Sequence, residues 1–469
     1  MKYFLDPFGC VKNQVDAENM MAHLNRAGWE NTTDADSADL IIVNTCGFIE
    51  SAKKESINAV IDWRRQYPKK KILAAGCLSQ RYAKELPELL TEADAFIGAQ
   101  DLSKIVQAAN KVTAVSPNST VKSQPAIHNS TGERPLLSLP GSAYVKISEG
   151  CDNRCSYCAI PLIRGGLVSR TIPDITEECR ALLKRGIVEL NIIGQDIGAY
   201  GTDFEKETAR GHGSAEKKLK EKSKLQELLN AISEIDGEFW VRLLYIHPDH
   251  FPLEILDIMV RDKRFLPYFD IPFQHASTKI LTAMNRNKTA MRGNAVNKYL
   301  ALLENIRFRL PDAVIRSTFM LGFPGETEED FAELLDFQKK AKLDWLGCFA
   351  FSREEGTAAY PMKERVPART ANLRKLKIEE LQIPITEKNM DRFTGYNLDV
   401  LIEEQFTSES VDDDNSDSTE NLWLGRLFCH APEIDGAAVI VSSEKNLRIG
   451  TLTKCKVTAR RGFDLEVRV

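Results

Sequence analysis

Short apolar runs alternate with helical segments from residue 143 to about 396, and this alternation constrains the fold more than any other feature. Strands joined by crossover helices pair in parallel, so the pattern predicts an α/β domain with a parallel sheet. Six strand–helix units fall short of the eight in a closed barrel, which favours a partial (β/α)6 barrel. The predicted strands span residues 144–148, 189–194, 240–246, 269–273, 315–322 and 345–351.

Residues 1–110 show the same alternation on a smaller scale, with predicted strands at 2–5, 40–43, 72–75 and 95–97. Three of these strands are followed by a cysteine: Cys10, Cys46 and Cys77, called here the N-terminal trio. The carboxyl ends of parallel strands lie at one edge of a sheet, where open α/β sheets bind ligands. We therefore expect the N-terminal trio to converge at that edge.

Two further segments complete the predicted organisation. Residues 111–142 are interpreted as a linker, because 11 of the 17 residues from 116 to 132 are Ser, Thr, Asn, Pro or Gly. Residues 397–469 contain five short strands, which indicate a small antiparallel β-barrel. The predicted domains are 1–110, 143–396 and 397–469, with a charged, solvated loop insertion at 202–223.

Composition narrows the class of protein. The chain has ten cysteines among 469 residues, too few for a disulfide scaffold, and no apolar run of about 18 residues. Without a signal segment, a cytoplasmic location is the default expectation. The net charge of -5 gives no support for binding nucleic acid over the whole chain. In a reducing compartment, clustered cysteines favour metal or redox chemistry.

The motif Cys151-Asp-Asn-Arg-Cys155-Ser-Tyr-Cys158 follows the first strand of the partial barrel. Its cysteines, called here the barrel trio, are therefore expected at the barrel mouth. Three thiolates on a four-iron cluster leave one iron open to a small molecule, whereas a structural zinc site needs a fourth ligand that is not nearby. A zinc knuckle remains the alternative. The other four cysteines match no ligand spacing and are interpreted as buried thiols: Cys179, Cys348, Cys429 and Cys455.

The barrel trio resembles the motif of radical S-adenosylmethionine enzymes, and the chain as a whole resembles their methylthiotransferase family. This resemblance implies an N-terminal cluster domain, a central radical domain and a C-terminal TRAM domain. It also implies two [4Fe-4S] clusters, one on each trio, and S-adenosylmethionine as a cofactor. Tyr157, Gln195 and Asp196 are candidate cofactor contacts, with packing and a capped strand-to-helix turn as the alternatives.

Two substrate classes occur in that family: an adenosine of transfer RNA, and an aspartate of ribosomal small-subunit protein twelve. The segment Phe8-Gly-Cys-Val-Lys-Asn-Gln-Val-Asp-Ala-Glu18 is similar to the ribosomal-protein type, although Phe8 stands where a leucine is usual. Glu149-Gly150 before the first barrel cysteine, residues 270–277 and residues 430–436 resemble the same type. An electron carrier with two clusters and a nucleic-acid binding module are the competing hypotheses from other classes.

The net charge of the predicted C-terminal barrel indicates the substrate class independently of the family resemblance. The predicted C-terminal barrel holds 8 basic and 14 acidic residues, a net charge of -6, whereas an RNA-docking domain should be basic. An acidic barrel suits a basic ribosomal protein, although its acidic run at 412–414 is equally explained as a solvated loop. A reductant protein such as flavodoxin or ferredoxin is the further expected partner.

Several other residues near the predicted strand ends are weaker candidates. Arg242 and His247 are predicted on the third strand near the site, and Gln274 and His275 follow the fourth. Their roles stay open at this stage. Gly322-Phe-Pro-Gly-Glu326 ends the fifth strand, and its two glycines predict a close approach of backbone to a ligand.

Overall fold

The computed structural model describes residues 1–114, 133–204, 222–286, 294–406, 421–444 and 446–469. Its N-terminal domain is a five-stranded, wholly parallel sheet in the order β2-β1-β3-β4-β5. The strands are β1 Lys2–Pro7, β2 Glu30–Asn31, β3 Leu40–Thr45, β4 Lys71–Gly76 and β5 Ala95–Gly98. The helices are α1 Val11–Arg26, α2 Glu50–Gln66, α3 Cys77–Arg81, α4 Leu86–Leu89 and α5 Ile105–Val112.

Burial explains why this sheet forms. All six residues of β3 are buried, as expected of a central parallel strand covered by helices on both faces. One cluster of buried side chains packs Ile42 and Leu73 against α1 and α5, and a second packs Val43 and Ile72 on the α2 side. The four predicted strands are confirmed, and the short β2 is an addition that the sequence pattern did not indicate.

The central domain is an open, wholly parallel sheet whose six strands follow the chain order, β6-β9-β10-β11-β12-β13. The predicted partial barrel is confirmed. Its strands are β6 Ser142–Lys146, β9 Glu189–Ile193, β10 Trp240–Leu243, β11 Phe265–Asp270, β12 Val314–Leu321 and β13 Trp345–Ala350; the short pair β7 Ser148–Glu149 and β8 Val168–Ser169 lies apart. The helices are α6 Ile160–Arg164, α7 Ile172–Lys184, α8 Leu225–Ser233, α9 Ile255–Arg261, α10 Thr278–Ala283, α11 Ala295–Arg309, α12 Glu328–Ala341 and α13 Ala368–Asp391.

The fourth predicted strand of this domain was placed too late in the chain. The prediction covers residues 269–273, whereas β11 spans Phe265–Asp270. Pro267 lies inside β11, where a proline normally argues against a central strand. The β10–β11 pairing shifts register between Val241 and Leu243, and this irregularity accommodates the proline.

The C-terminal barrel is closed, as predicted, in the order β14-β15-β16-β18-β17. Four of its pairings are antiparallel, but β16 and β18 pair in parallel, so the barrel is not uniformly antiparallel. The strands are β14 Asn397–Gln405, β15 Asn421–Arg426, β16 Ala438–Ser442, β17 Leu452–Arg461 and β18 Asp464–Arg468. The acidic run at 412–414 and most of the charged insertion at 202–223 lie outside the described residues.

Buried ion pairs join the three domains. Arg134, in the second half of the predicted linker, is fully buried and pairs with Glu18 of α1 and Glu178 of α7. Glu189 of β9 is equally buried and pairs with Arg242 of β10 and Arg426 of β15. Within the described residues, no helix has both the length and the apolar character needed to cross a membrane.

Candidate active site

The N-terminal trio lies at one edge of the first sheet. Cys46 directly follows β3, Cys77 directly follows β4, and Cys10 closely follows β1. These three strands are neighbours in the sheet. Cys10 is exposed at the start of α1, whereas Cys46 and Cys77 are buried. Burial raises the pKa of the Cys77 thiol to about 12, and it also raises the pKa of Cys46, with a further contribution from Cys10 to both. The three thiols therefore lie at the ends of neighbouring strands, and Cys10 is near enough to the other two to act on them electrostatically.

A glycine adjoins each thiol of this trio and leaves no room for a side chain. A Cβ on Gly9 would lie 3.0 Å from the Cβ of Cys46, and one on Gly47 would lie 2.8 Å from the backbone oxygen of Cys77. Gly76 has φ +103°, and its Cβ would lie 2.8 Å from the backbone oxygen of Thr45. The cysteine-bearing loops thus pack directly on one another, and their glycines form a close-fitting cradle.

The barrel trio lies on the loop that follows β6 and β7. The backbone N–H of Cys151 donates to Gly165 O at 3.2 Å, and that of Cys158 donates to Cys155 O at 3.0 Å. Burial raises the pKa of Cys151 to about 12 and raises that of Cys158, and the neighbouring Cys155 adds to both shifts. The three thiols therefore form one electrostatically coupled group at the barrel mouth.

The two trios meet across the junction of the N-terminal and central domains. Cys77 forms a small buried cluster with Ala159 and Ile163 of the central domain. Ala159 directly follows Cys158, so a ligand candidate of one trio packs against the neighbour of a ligand candidate of the other. Gln100 adds a hydrogen bond from its Nε2 to Ile163 O at 3.0 Å. The contact sets the two cysteine groups next to each other.

Four charged side chains, Asp16, Lys146, Glu149 and Arg164, form what we call the junction network. Lys146 donates to Asp16 at 2.5 Å and to Glu149 at 2.6 Å. Arg164 donates to Asp16 at 2.6 Å, to Glu149 at 3.1 Å and to the Sγ of Cys77 at 3.0 Å. Despite burial, the two cations hold the pKa of Glu149 at about 2. The network thus ties a thiol of the N-terminal trio to the strand that leads into the barrel trio.

The predicted cofactor contacts lie beside the barrel trio. Gln195 donates through Nε2 to Glu149 at 2.8 Å, and Tyr157 accepts a hydrogen bond from Arg286 at 2.8 Å. Asp196 accepts from the amides of Gly198 and His247 and from Asn153 Nδ2. Asp196 therefore caps the turn after β9, which was the alternative interpretation of this residue.

Two buried oxygens at adjacent strand ends have no hydrogen-bond partner within the described chain: Ser148 Oγ and Gln195 Oε1. Ser148 begins the short β7, just after β6, and Gln195 follows β9, so both lie close to the start of the cysteine motif. Buried polar atoms without partners are costly in a folded protein unless a ligand or water satisfies them. Their position fits a polar cofactor such as S-adenosylmethionine.

Arg242 was expected near the site, and this prediction is wrong. It donates to Glu189 at 3.0 Å and to Phe428 O at 2.8 Å, which places it in the interface with the C-terminal barrel. His247 lies beyond the end of β10, and its Nδ1 accepts from the backbone N–H of Asp249 at 3.2 Å. His275 is fully buried, and burial lowers its pKa to about 3. Neither histidine is placed as a catalytic group by these contacts.

The glycines of the 322–326 motif approach protein, not a ligand. A Cβ on Gly322 would lie 2.5 Å from the Cβ of Ala371 in α13. Glu326 accepts hydrogen bonds from the backbone of Gly322 at 2.7 Å and pairs with Arg374 of α13 at 2.6 Å. The motif therefore fastens β12 to the last helix of the central domain.

Sequence reasoning gave no role to Lys12, Asn13, Asp16 or Arg164, although all four lie in or beside motifs that carried the family resemblance. Asn13 accepts from Arg164 at 2.5 Å and donates to the backbone oxygens of Phe8 and Thr45. Asp16 follows Lys12 by one helical turn on α1, a spacing that places both on one face. That spacing was the available signal, but it does not reveal partners in another domain.

In the part of the chain that the structure describes, no three Cys, His, Asp or Glu side chains are grouped so as to hold a single metal ion. In a four-iron cluster each thiolate binds a different iron, so the ligands stand farther apart than around one ion. All-thiolate donor sets suit iron–sulfur clusters. The chemistry and placement of both trios fit such a cluster.

Comparison with known proteins agrees with this arrangement. Three family models match: the uncharacterized protein family UPF0004 at residues 2–98, the radical SAM superfamily at 145–337 and the TRAM domain at 394–469. The ribosomal protein uS12 methylthiotransferase RimO of Treponema denticola is 46% identical over 98% of this chain and 99% of its own length. The RimO of Syntrophomonas wolfei is 39% identical over 97% of each chain.

The chain belongs to the RimO family of radical SAM methylthiotransferases. Its fold also resembles the radical S-adenosylmethionine methyltransferase TsrM of Kitasatospora setae, with a TM-score of 0.53 over 76% of this chain and 73% of that one. Sequence identity to TsrM is 14%, so this likeness concerns the fold alone. In RimO-family terms, the closed C-terminal barrel is the TRAM domain and the open parallel sheet is the radical SAM domain.

Proposed function

We propose that this protein adds a methylthio group to the β-carbon of an aspartate in ribosomal protein uS12. The observation that carries the proposal is the full-length similarity to a uS12 methylthiotransferase at 46% identity. The motifs around Cys10 and Cys151 support it from the sequence, because both resemble the ribosomal-protein type. The transfer-RNA alternative is not favoured, since none of the relatives described above is named for it.

S-adenosylmethionine and an iron–sulfur cluster are the cofactors of the radical SAM domain. We assign Cys151, Cys155 and Cys158 as the ligands of this cluster, and Gln195 and Tyr157 as groups lining the S-adenosylmethionine site. When both are bound, the cluster and S-adenosylmethionine supply a radical that can remove a hydrogen atom from an unactivated carbon. The unpartnered oxygens of Ser148 and Gln195 support a polar ligand next to the barrel trio.

We propose a second [4Fe-4S] cluster on Cys10, Cys46 and Cys77. Three thiols at neighbouring strand ends, the tight glycine cradle and the hydrogen bond from Arg164 to Cys77 support this assignment. Two clusters divide the work: one would support hydrogen abstraction and the other would hold the sulfur group. This division argues against a simple electron carrier, which needs no open site beside each cluster.

The residues of the chain itself position these groups and exclude water. The junction network holds the two domains together with buried ion pairs, and Cys77 lies in a buried cluster with Ala159 and Ile163. Rigid placement of reacting groups lowers the activation barrier, because their orientation is fixed before the reaction begins.

We propose that the chain divides into three domains, at residues 1–110, 143–396 and 397–469.

Three further assignments follow from the proposed substrate. The acidic TRAM domain would attract a basic ribosomal protein, and its run at Asp412, Asp413 and Asp414 is a candidate docking segment outside the described residues. Neutralising those three aspartates together should weaken uS12 binding at low salt. A flavodoxin or ferredoxin would supply electrons. An enzyme that acts on a ribosomal protein would work in the cytoplasm, and we propose this location.

The deciding experiment is an anaerobic reaction of the reconstituted enzyme with purified uS12, S-adenosylmethionine, a strong reductant and sulfide as the source of the sulfur atom. Mass spectrometry should show a methylthio gain on one aspartate of uS12. Iron analysis should give about eight irons per chain, falling to about four when Cys10, Cys46 and Cys77 are changed together to alanine. An unmodified uS12, or an iron content unchanged by the triple substitution, would contradict the substrate or the second cluster respectively.

A further inference from the structure

Lys12 is a buried cation without an anionic partner. The residue is 7% exposed, and within the described residues its ammonium makes neither a hydrogen bond nor an ion pair. Its contact is with the ring of Tyr245, whose centroid lies 2.8 Å from Nζ. An ammonium taken out of water is strongly destabilising unless charges or hydrogen bonds compensate it.

The carboxylates near Lys12 are committed to other cations. Burial lowers the pKa of Lys12 to about 8, and Cys10, followed by the carboxylates of Asp270 and Glu149, acts in the opposite direction. Asp270 pairs with Arg316 at 3.1 Å, and Glu149 pairs with Lys146 and Arg164 of the junction network. The charge of Lys12 therefore remains available to an incoming anion.

The surroundings of Lys12 point to the active site. Lys12 lies two residues after the exposed Cys10, in the first turn of α1. Tyr245 lies just beyond the carboxyl end of β10 and adopts φ +68°, a left-handed conformation that is rare for a tyrosine. Strained residues of this kind concentrate at functional sites. The pair bridges the N-terminal domain and the mouth of the radical SAM domain.

We propose that the Lys12 ammonium binds the carboxylate of the substrate aspartate, an inference that rests on the proposed function. The β-carbon is bonded directly to that carboxylate carbon, so holding the carboxylate also fixes the carbon that receives the sulfur group. The ion pair forms in a site already shielded by Tyr245, where a charge-assisted hydrogen bond is strong. Lys12 is then a substrate-binding residue that selects aspartate over a neutral side chain.

The test measures binding to the fully reconstituted enzyme with S-adenosylmethionine present and reductant absent. The probes are full-length uS12 and a uS12 variant in which the modified aspartate is replaced by asparagine. The wild type should bind the aspartate form about 10- to 100-fold more tightly, the range of a hydrogen bond between charged groups. Lys12→Met should abolish this preference, whereas Lys12→Arg, which keeps the charge, should retain part of it.

Matched measurements separate this role from the alternatives. Lys104→Met removes an exposed lysine whose ion-pair partner within the described residues is Asp101, and it should bind both probes as the wild type does. Iron content and cluster spectra of Lys12→Met should match the wild type, and its thermal midpoint should be equal to or higher than that of the wild type, because a buried unpaired charge is removed. If Lys12→Met keeps the preference but shifts the spectrum of the N-terminal cluster, Lys12 balances the cluster charge and the proposal fails.

The failure of the inference can be told apart from that of the proposed function. A wild type that methylthiolates uS12 but binds the aspartate and asparagine forms equally overturns the role of Lys12 alone. A wild type that adds no methylthio group to uS12 overturns the proposed function, and with it the substrate on which this inference depends.

Discussion

Arg164 shows how one side chain can connect two sites in different domains. Its guanidinium donates to Asp16, Glu149, Asn13 and the thiol of Cys77. A planar guanidinium with five donors can serve several acceptors at once, and it keeps its charge when buried. A lysine, with a single ammonium group, could not hold acceptors of the N-terminal and central domains in one fixed geometry. Arg164 therefore joins the N-terminal trio to the segment of the central domain that follows the barrel trio.

His275 gives the protein a pH-dependent stability at the residue scale. Burial lowers its pKa to about 3, against an ordinary value of 6.5. Between these values the unfolded chain binds a proton that the folded chain does not. The stability due to a neutral His275 is thus complete above about pH 6.5 and is lost as the pH falls.

We predict that His275→Asn weakens this dependence. Lowering the pH from 6.5 to 5 should cost the wild type up to about 2 kcal/mol through His275, equivalent to roughly 4–8 °C in thermal midpoint. Asparagine can still accept from the Ser277 amide, which donates to His275 Nδ1 at 3.0 Å. Calorimetry of both proteins across this range checks the prediction. Parallel midpoint-versus-pH curves would show that His275 does not contribute.

At the element scale, the contact between β12 and α13 depends on a missing side chain. Gly322 has φ +77°, and an added Cβ would lie 2.5 Å from the Cβ of Ala371. Gly186 has φ +91°, but an added Cβ there would have no neighbour within 4 Å. The two glycines therefore separate backbone strain from steric overlap.

We predict that Gly322→Ala destabilises the protein by about 2–4 kcal/mol, from left-handed strain together with overpacking. Gly186→Ala should cost only about 1–2 kcal/mol, because strain acts alone. Adding Ala371→Gly to the Gly322→Ala variant should recover the steric part. Urea unfolding of these variants measures all three effects. Equal losses at the two glycines would mean that α13 shifts away without cost.

The elements were more predictable than the contacts between them. Strands such as β3 and β4 could be read from the sequence, because a parallel strand covered on both faces is apolar along its length. The convergence of the N-terminal trio followed from strand ends alone. The strand β11, Phe265–Asp270, was predicted too late in the chain. Pro267 argues against a strand, and the register shift that accommodates it cannot be read from the local sequence. Arg164 and Lys12 were missed because their partners are distant in the chain.

At the scale of the whole molecule, buried charges hold the domains in place. Arg134 anchors the N-terminal domain through Glu18 and the central domain through Glu178. Between the central and C-terminal domains, the Trp345 indole N–H donates to Cys429 O at 2.8 Å, and Tyr268 donates to Asp435 at 2.6 Å. These contacts fix the TRAM domain against the inner face of the open sheet. If uS12 docks on the TRAM domain as proposed, these contacts would hold it in a fixed position relative to the cysteine trios.

Glu189 is the centre of that interface, and its loss should loosen the TRAM domain. The carboxylate is fully buried, and Arg426 and Arg242 hold its pKa at about 2 against the effect of burial. Glu189→Gln would remove the carboxylate that balances the buried guanidiniums of Arg242 and Arg426. Removing one partner of a buried ion pair typically costs about 3–5 kcal/mol. We expect faster hydrogen exchange in β15 and β9 together, with a lower thermal midpoint.

The matched control is Asp399→Asn, which breaks the pair between Asp399 and Lys454 at 2.8 Å on the surface of the same barrel. Because the Lys454 side chain is 84% exposed, this change should cost less than about 1 kcal/mol and leave the exchange of β9 unaltered. If Glu189→Gln accelerates exchange in β15 but not in β9, the barrel opens by itself. The TRAM domain would then be held by its apolar contacts, and the buried charges would not fix its position.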